Sequence, residues 1–134
     1  MNFLVCYDGT GAAREALELA QARAKMFDGK LFVVTAMTGG AEVPREEFQE
    51  KEEELEKVKH RLADEQVACE TTLSVRGLEP GEDLVLFAKE NSIDEIIIGV
   101  EKRSKVGKFI FGSTAQYVIL EAPCPVLTVK EGTV

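Results

Sequence analysis

Strand-like and helix-like segments alternate along the whole of this 134-residue chain. Five short segments are apolar or rich in β-branched residues, and four segments between them carry apolar residues at the helical spacings of three and four. This alternation predicts one α/β domain over residues 1–134, with an open parallel sheet and helices on both of its faces. The predicted strands cover residues 2–7, 31–36, 67–75, 94–100 and 123–130, and the predicted helices cover residues 11–27, 45–65, 81–91 and 113–121.

The charge balance and the cysteines argue against several classes of protein. The formal net charge is −8, which disfavours nucleic acid or an anionic membrane as a partner of the whole surface. Cys6, Cys69 and Cys124 lie far apart without metal-ligand spacing, so we predict no zinc site and a reducing compartment. The first residues lack the apolar run of a secretion signal, and a cytoplasmic location is therefore expected.

One basic segment, GVEKRSKVGKFIFGST at residues 99–114, runs against the acidic trend. It holds four Lys or Arg residues and one Glu, a charge of +3, so the rest of the chain sums to −8 − 3 = −11. Such a loop is either an anion site or a solvated loop paired with carboxylates. It follows the fourth strand, at the sheet edge where ligands of parallel sheets bind, and it ends where a helix begins. The free N–H groups and dipole of that helix suit an anion.

Two common phosphate-binding motifs do not fit the chain. Gly107 and Lys108 are followed by Phe109, where a P-loop needs the Ser or Thr that holds magnesium. GTGAAR at residues 9–14 has two glycines of the dinucleotide fingerprint, but Arg14 replaces the third and no acidic residue ends the second strand. A phosphate site would therefore need a different pattern.

The order of the elements, the first turn YDGT, the ending APCPVLTVK and the basic segment together resemble the universal stress protein family, over essentially the whole chain. Nucleotide-binding members of that family carry G-x2-G-x9-G-[ST] after the fourth strand. Gly99, Gly112 and Ser113 match this pattern at the right spacing, whereas Lys102 replaces its second glycine. The resemblance implies an adenine nucleotide α-hydrolase-like fold, a five-stranded parallel sheet in the order 3-2-1-4-5.

The resemblance also implies an adenine nucleotide, ATP, ADP or AMP, with or without Mg²⁺. Asp8 would contact the nucleoside, although the alternative is that it only forms the turn DGTG, where aspartate is favoured. Ser113 would bind phosphate, although capping the last helix is an alternative role. Lys102 either contacts a phosphate or fills the space of a triphosphate, which favours a mono- or diphosphate. The predicted site comprises Cys6, Asp8, Ala36, Ile98, Gly99, Lys102, Arg103, Gly112, Ser113 and Thr114, of which Cys6 and Ile98 could equally be core.

The third and last strands are predicted at the sheet edges, and the resemblance implies a homodimer through the last strand, from Pro125 to Lys130. A nucleotide-binding, stress-responsive regulatory dimer is the function implied. The alternative is a dimeric interaction module that no longer binds nucleotide. No nucleophile–base pair is evident and His60 lies on a charged helix, so we predict no catalytic residue and at most slow ATP hydrolysis. Glu42 and Glu101 are loop carboxylates that are either solvated or close enough to assist Mg²⁺.

Overall fold

A five-stranded parallel sheet forms the centre of the computed structural model, which describes residues 1–39, 42–103, 108–109 and 111–132, with only the backbone of 102, 103, 108 and 109. The sheet order is β3-β2-β1-β4-β7, which is the predicted order 3-2-1-4-5 when its strands alone are counted. A two-residue antiparallel pair, β5 with β6, follows β4 and was not predicted. The strands are β1 Asn2–Cys6, β2 Lys30–Met37, β3 Cys69–Val75, β4 Glu95–Val100, β5 Lys102–Arg103, β6 Lys108–Phe109 and β7 Val126–Lys130.

Four helices connect the sheet strands, and their bounds agree with the predicted ones to within a residue at each end. They are α1 Gly11–Met26, α2 Arg45–Asp64, α3 Pro80–Glu90 and α4 Ser113–Glu121. Among the described residues, no helix combines the length and the apolar character needed to cross a bilayer.

The helices form two layers, one on each face of the sheet. Phe3 and Val5 of β1 pack with α1 and α2, whereas Leu4 between them packs with α3 and α4, as the alternation of a strand requires. The chain moves from β1 to β2 and β3 in one direction and from β4 to β7 in the other. Because parallel crossovers are right-handed, the reversal places α4 on the face opposite α1 and α2. The strand order therefore reverses between β1 and β4, where open sheets bind ligands.

Gly99 is the point at which β4 touches the first turn of α1. A Cβ on Gly99 would lie 2.5 Å from the carbonyl carbon of Ala12 and 3.0 Å from its Cβ. No side chain fits such a gap, so glycine here permits the close packing of helix on strand. The space beside Gly99 is thus filled by α1 and is not open to a ligand.

Candidate functional site

A cleft of about 420 Å³ opens at the carboxyl ends of β1, β2 and β4, where the strand order reverses. Its volume lies in the range of small-molecule sites. Loops after β1 and β4 and the first turns of α3 and α4 complete its walls. The lining residues are Cys6, Tyr7, Asp8, Thr10, Ala13, Val34, Ala36, Pro80, Leu84, Ile98, Gly99, Val100, Glu101, Gly112, Ser113, Thr114 and Ala115.

Eight of the ten predicted site residues line this one cleft. They are Cys6, Asp8, Ala36, Ile98, Gly99, Gly112, Ser113 and Thr114. For Lys102 and Arg103 the structure gives the backbone, in β5 directly after the lining residue Glu101, while their side chains lie outside the described part of the chain. Residues from four separate segments of the chain, up to 108 positions apart in sequence, thus meet at one place.

The floor of the cleft is apolar and built from small side chains. Cys6 and Ala36, both half-buried, and the buried Ile98 belong to the layer that α3 and α4 cover. Pro80 and Leu84 of α3 form a wall beside this floor. An apolar floor with an apolar wall suits an apolar ring. Sequence reasoning did not find the α3 wall, because only the sheet order shows that α3 begins at this edge.

The Cys6 thiol is poorly suited to act as a nucleophile in this cleft. Burial, with a smaller contribution from the negative charge of Asp8, raises the pKa of the Cys6 thiol to about 12. Only the thiolate attacks electrophiles or binds metals, and at neutral pH this sulfur stays protonated. Cys6 therefore serves as a small apolar part of the floor.

The α3 wall is anchored by a buried ion pair. Asp83 is fully buried, and its Oδ1 accepts hydrogen bonds from Ser74 Oγ at 2.9 Å and Arg76 Nε at 2.8 Å. Arg76 also contacts Glu90 at 2.6 Å, and the hydrogen bond to Glu90, followed by that to Asp83, raises the pKa of Arg76. These bonds join the end of β3 to α3. A buried carboxylate needs such partners, so the pair fixes where α3 begins.

At the first turn of α1 the chain itself supplies a side-chain cap and a nearby carboxylate. Thr10 is the N-cap, and its Oγ1 accepts a hydrogen bond from Ala13 N at 3.2 Å. Asp8 Oδ1 accepts from Thr10 N at 3.1 Å and Thr10 Oγ1 at 2.7 Å, so Asp8 does form the expected turn. A Cβ on Gly11 would lie 2.9 Å from Glu131 Oε1, which places a carboxylate against this helix end. Such anions satisfy the positive end of the α1 dipole.

The first turn of α4 is open. Its N-cap is Gly112, which offers no side-chain acceptor, and the first turn contains no acidic residue. The first helical bond runs from Gln116 N to Gly112 O at 3.0 Å, so the N–H groups of Ser113, Thr114 and Ala115 have no partner within the helix. A Cβ on Gly112 would meet no described atom within 4 Å. Ser113 is the first helical residue rather than the cap, so capping does not occupy its exposed hydroxyl.

The carboxylates considered for a metal do not come together. Glu101 lines the cleft, whereas Glu42 is an exposed residue that does not. Within the part of the chain that the structure describes, no three His, Cys, Asp or Glu side chains form a group able to hold a metal ion. Of these two loop carboxylates, only Glu101 lies at the cleft.

Comparison with known proteins gives a consistent result. The sequence profile described as "Universal stress protein family" matches residues 1–130. A universal stress protein from Thermus aquaticus is 34% identical, over 96% of this chain and 98% of its own length. A universal stress protein structure from Archaeoglobus fulgidus is 37% identical with a TM-score of 0.88, over 97% of this chain and 98% of that one. A universal stress protein from that organism in complex with dAMP is 32% identical with a TM-score of 0.81, at the same coverage.

Proposed function

The chain belongs to the universal stress protein family, and from that premise we propose that its cleft binds an adenine nucleotide. One observation carries the proposal: a helix end without a side-chain cap, whose first N–H groups have no partner among the described residues, opens into the same cleft as an apolar floor. Anions bind at such helix ends, and planar bases bind on such floors. The neighbour in complex with dAMP supports the same class of ligand.

The two ends of the cleft divide the nucleotide between them. The phosphate lies at Gly112, Ser113 and Thr114, where the open helix end donates N–H and hydroxyl hydrogen bonds. Lys102, which replaces the second motif glycine, and Arg103 follow Glu101 directly and add positive charge near the phosphate. Gly99 acts indirectly, by setting how closely α1 approaches β4.

The nucleoside lies at the other end of the cleft. Cys6 and Ile98 support the adenine, and the backbone of Ala36 meets its edge. Asp8, exposed in the same cleft, accepts a hydrogen bond from the sugar. Asp8 thereby serves both as a turn former and as a ligand contact, since its two oxygens have separate tasks.

AMP or ADP is the preferred ligand in this proposal, because Lys102 stands where the motif has glycine. The described residues include no carboxylate cluster for Mg²⁺ and no base that positions a water, so ATP is hydrolysed slowly at most. The three free cysteines indicate a reducing compartment, and the cytoplasm is the proposed location.

Occupancy of the cleft acts as a signal in a stress-responsive regulatory homodimer. The edge strand β7, together with Pro125 before it, pairs with its mate in a second copy. Nearby α4 exposes Leu120 to 71%, an apolar side chain that a second copy could cover. Sedimentation showing a monomer at tens of micromolar would contradict the dimer.

Calorimetric titration with AMP, ADP and ATP tests nucleotide binding. We expect heat with AMP and ADP at submillimolar to millimolar ligand, and weaker binding of ATP. Denaturing freshly purified protein should also release adenine absorbance. If neither experiment detects a nucleotide, the alternative function, an interaction module that no longer binds nucleotide, replaces this proposal; the substitution at Lys102 is the observation that favours it.

A further inference from the structure

The hydroxyl of Thr10 makes two contacts with opposite roles. It accepts from Ala13 N at 3.2 Å as the cap of α1, and it donates to Asp8 Oδ1 at 2.7 Å. An ionised carboxylate can only accept and a backbone N–H can only donate, so the single hydroxyl hydrogen must point at Asp8. The hydrogen bond from the helix end thus orients the Thr10 hydroxyl, and this hydroxyl in turn orients the Asp8 carboxylate.

The two oxygens of Asp8 are left in different states. Oδ1 accepts two hydrogen bonds, from the backbone N and the hydroxyl of Thr10. Oδ2 has no hydrogen bond within the described part of the chain, and Asp8 is an exposed residue that lines the cleft. The carboxylate is therefore held in one orientation, with one oxygen engaged by the protein and one available to a donor in the cleft.

We propose that Thr10 is a positioning residue that, by holding Asp8, makes the cleft prefer ribose nucleotides over deoxyribose nucleotides. The inference rests on the proposed nucleotide site. A sugar hydroxyl is the donor that a free carboxylate oxygen selects, and hydrogen bonds to a charged acceptor are the stronger class. An acceptor that is already oriented loses less freedom on binding, so it discriminates better against a ligand without the donor.

Capping of α1 explains the bond from Ala13 but does not require the bond to Asp8. Three substitutions separate the two roles. Thr10→Asp keeps a strong cap but has no hydrogen to donate to Asp8. Thr10→Ser keeps both the cap and the donor. Thr10→Val has nearly the same shape as threonine and keeps neither.

The experiment measures dissociation constants of AMP, 2′-deoxy-AMP and 3′-deoxy-AMP by calorimetry for the wild type and the three variants. The readout is the ratio of each deoxy-AMP dissociation constant to the AMP dissociation constant. The extra charge of Thr10→Asp, or a general loosening of the cleft, weakens the binding of all three nucleotides alike and therefore cancels in this ratio. We expect the wild type and Thr10→Ser to prefer AMP over at least one deoxy analogue by roughly tenfold. For Thr10→Asp and Thr10→Val the ratio should fall below about threefold.

Three results would overturn the inference. If the ratio in Thr10→Asp stays at the wild-type value, Thr10 only caps the helix; this variant keeps the cap and decides the matter even if Thr10→Val folds poorly. If the wild type binds all three nucleotides equally, no sugar hydroxyl is recognised, and the inference fails while the proposed function stands. If the wild type binds none of them, the proposed function fails as well. Thermal unfolding provides a control, because a purely structural role would change stability without changing the ratio.

Discussion

The first turns of α1 and α4 reach the same cleft, yet they differ in how their free N–H groups are satisfied. At α1 the chain supplies a threonine cap and the Glu131 carboxylate, which lies 2.9 Å from the Cβ position of Gly11. At α4 the cap is Gly112, and no described atom lies within 4 Å of its Cβ position. Both ends carry the same partial positive charge. From this difference we expect an external anion at the α4 end rather than at the α1 end, because the described residues leave the first N–H groups of α4 without partners.

The two motif glycines in the described part of the chain differ in the same way, one being closed in by the protein and the other open. Gly99 permits α1 to pack on β4, since Ala12 fills the space of its missing Cβ. Gly112 has an extended backbone, with φ of −70° and ψ of 168°, that any residue could adopt, and open space beside it. The fold therefore requires glycine at 99, whereas its described part does not require glycine at 112.

Ser113→Asp should have the largest effect, because it gives α4 the carboxylate that α1 already has. We expect the affinity for AMP to fall roughly a hundredfold, since the new charge repels the phosphate in a partly enclosed cleft. The free energy of unfolding should stay the same or rise by about 0.3–1 kcal/mol, because the carboxylate complements the helix dipole. Calorimetry and urea denaturation measure the two quantities.

Ser113→Asn is the matched control for this change, because asparagine has nearly the same shape as aspartate but carries no charge. It should lower the affinity less than about tenfold, the effect of one altered hydrogen bond. If Asp and Asn at this position weaken AMP binding equally, charge at the α4 end is not what holds the phosphate.

Alanine at the two motif glycines should separate stability from binding. Gly99→Ala forces α1 away from β4 and should lower the free energy of unfolding by about 1–3 kcal/mol, the range for an overpacked core. Gly112→Ala should change it by less than about 1 kcal/mol, because the backbone is compatible and the space is open. Denaturant midpoints of both variants measure the contrast, and equal destabilisation would contradict the separate roles assigned to these glycines.

The smallest effect is expected from Glu131→Gln, which removes a charge from the α1 end. The free energy of unfolding should fall by at most about 1 kcal/mol, since the site is at the surface. The affinity for AMP should not change measurably, because the phosphate lies at the other helix end. Tighter binding of AMP by this variant would show that the two ends compete for the phosphate.

Much of the fold could be predicted from sequence because its signals are local. The helix bounds follow from the spacing of residues such as Leu55, Val58 and Leu62, all of which are buried. The cap of α1 is Thr10, a residue type that favours this position and directly precedes the helical pattern. The predicted helix included residue 27, but α1 ends at Met26 and Phe27 is 45% exposed.

The site was predicted less completely, because its remaining features depend on distances between elements. Pro80 and Leu84 reach the cleft only through the sheet order and the Asp83 ion pair, neither of which leaves a local pattern. The role of Gly99 depends on how close Ala12 lies, which no spacing along the chain encodes. For Lys102, the side-chain prediction falls outside the described residues and stays a prediction.

The most direct test follows backbone amide signals by NMR while AMP, and separately adenosine, is added to the protein. Subtracting the adenosine shifts from the AMP shifts isolates the contribution of the phosphate. The account predicts that this difference is largest at Ser113, Thr114 and Ala115 and small at Gly11, Ala12 and Ala13. A difference centred on the first turn of α1, or none at either helix end, would contradict it.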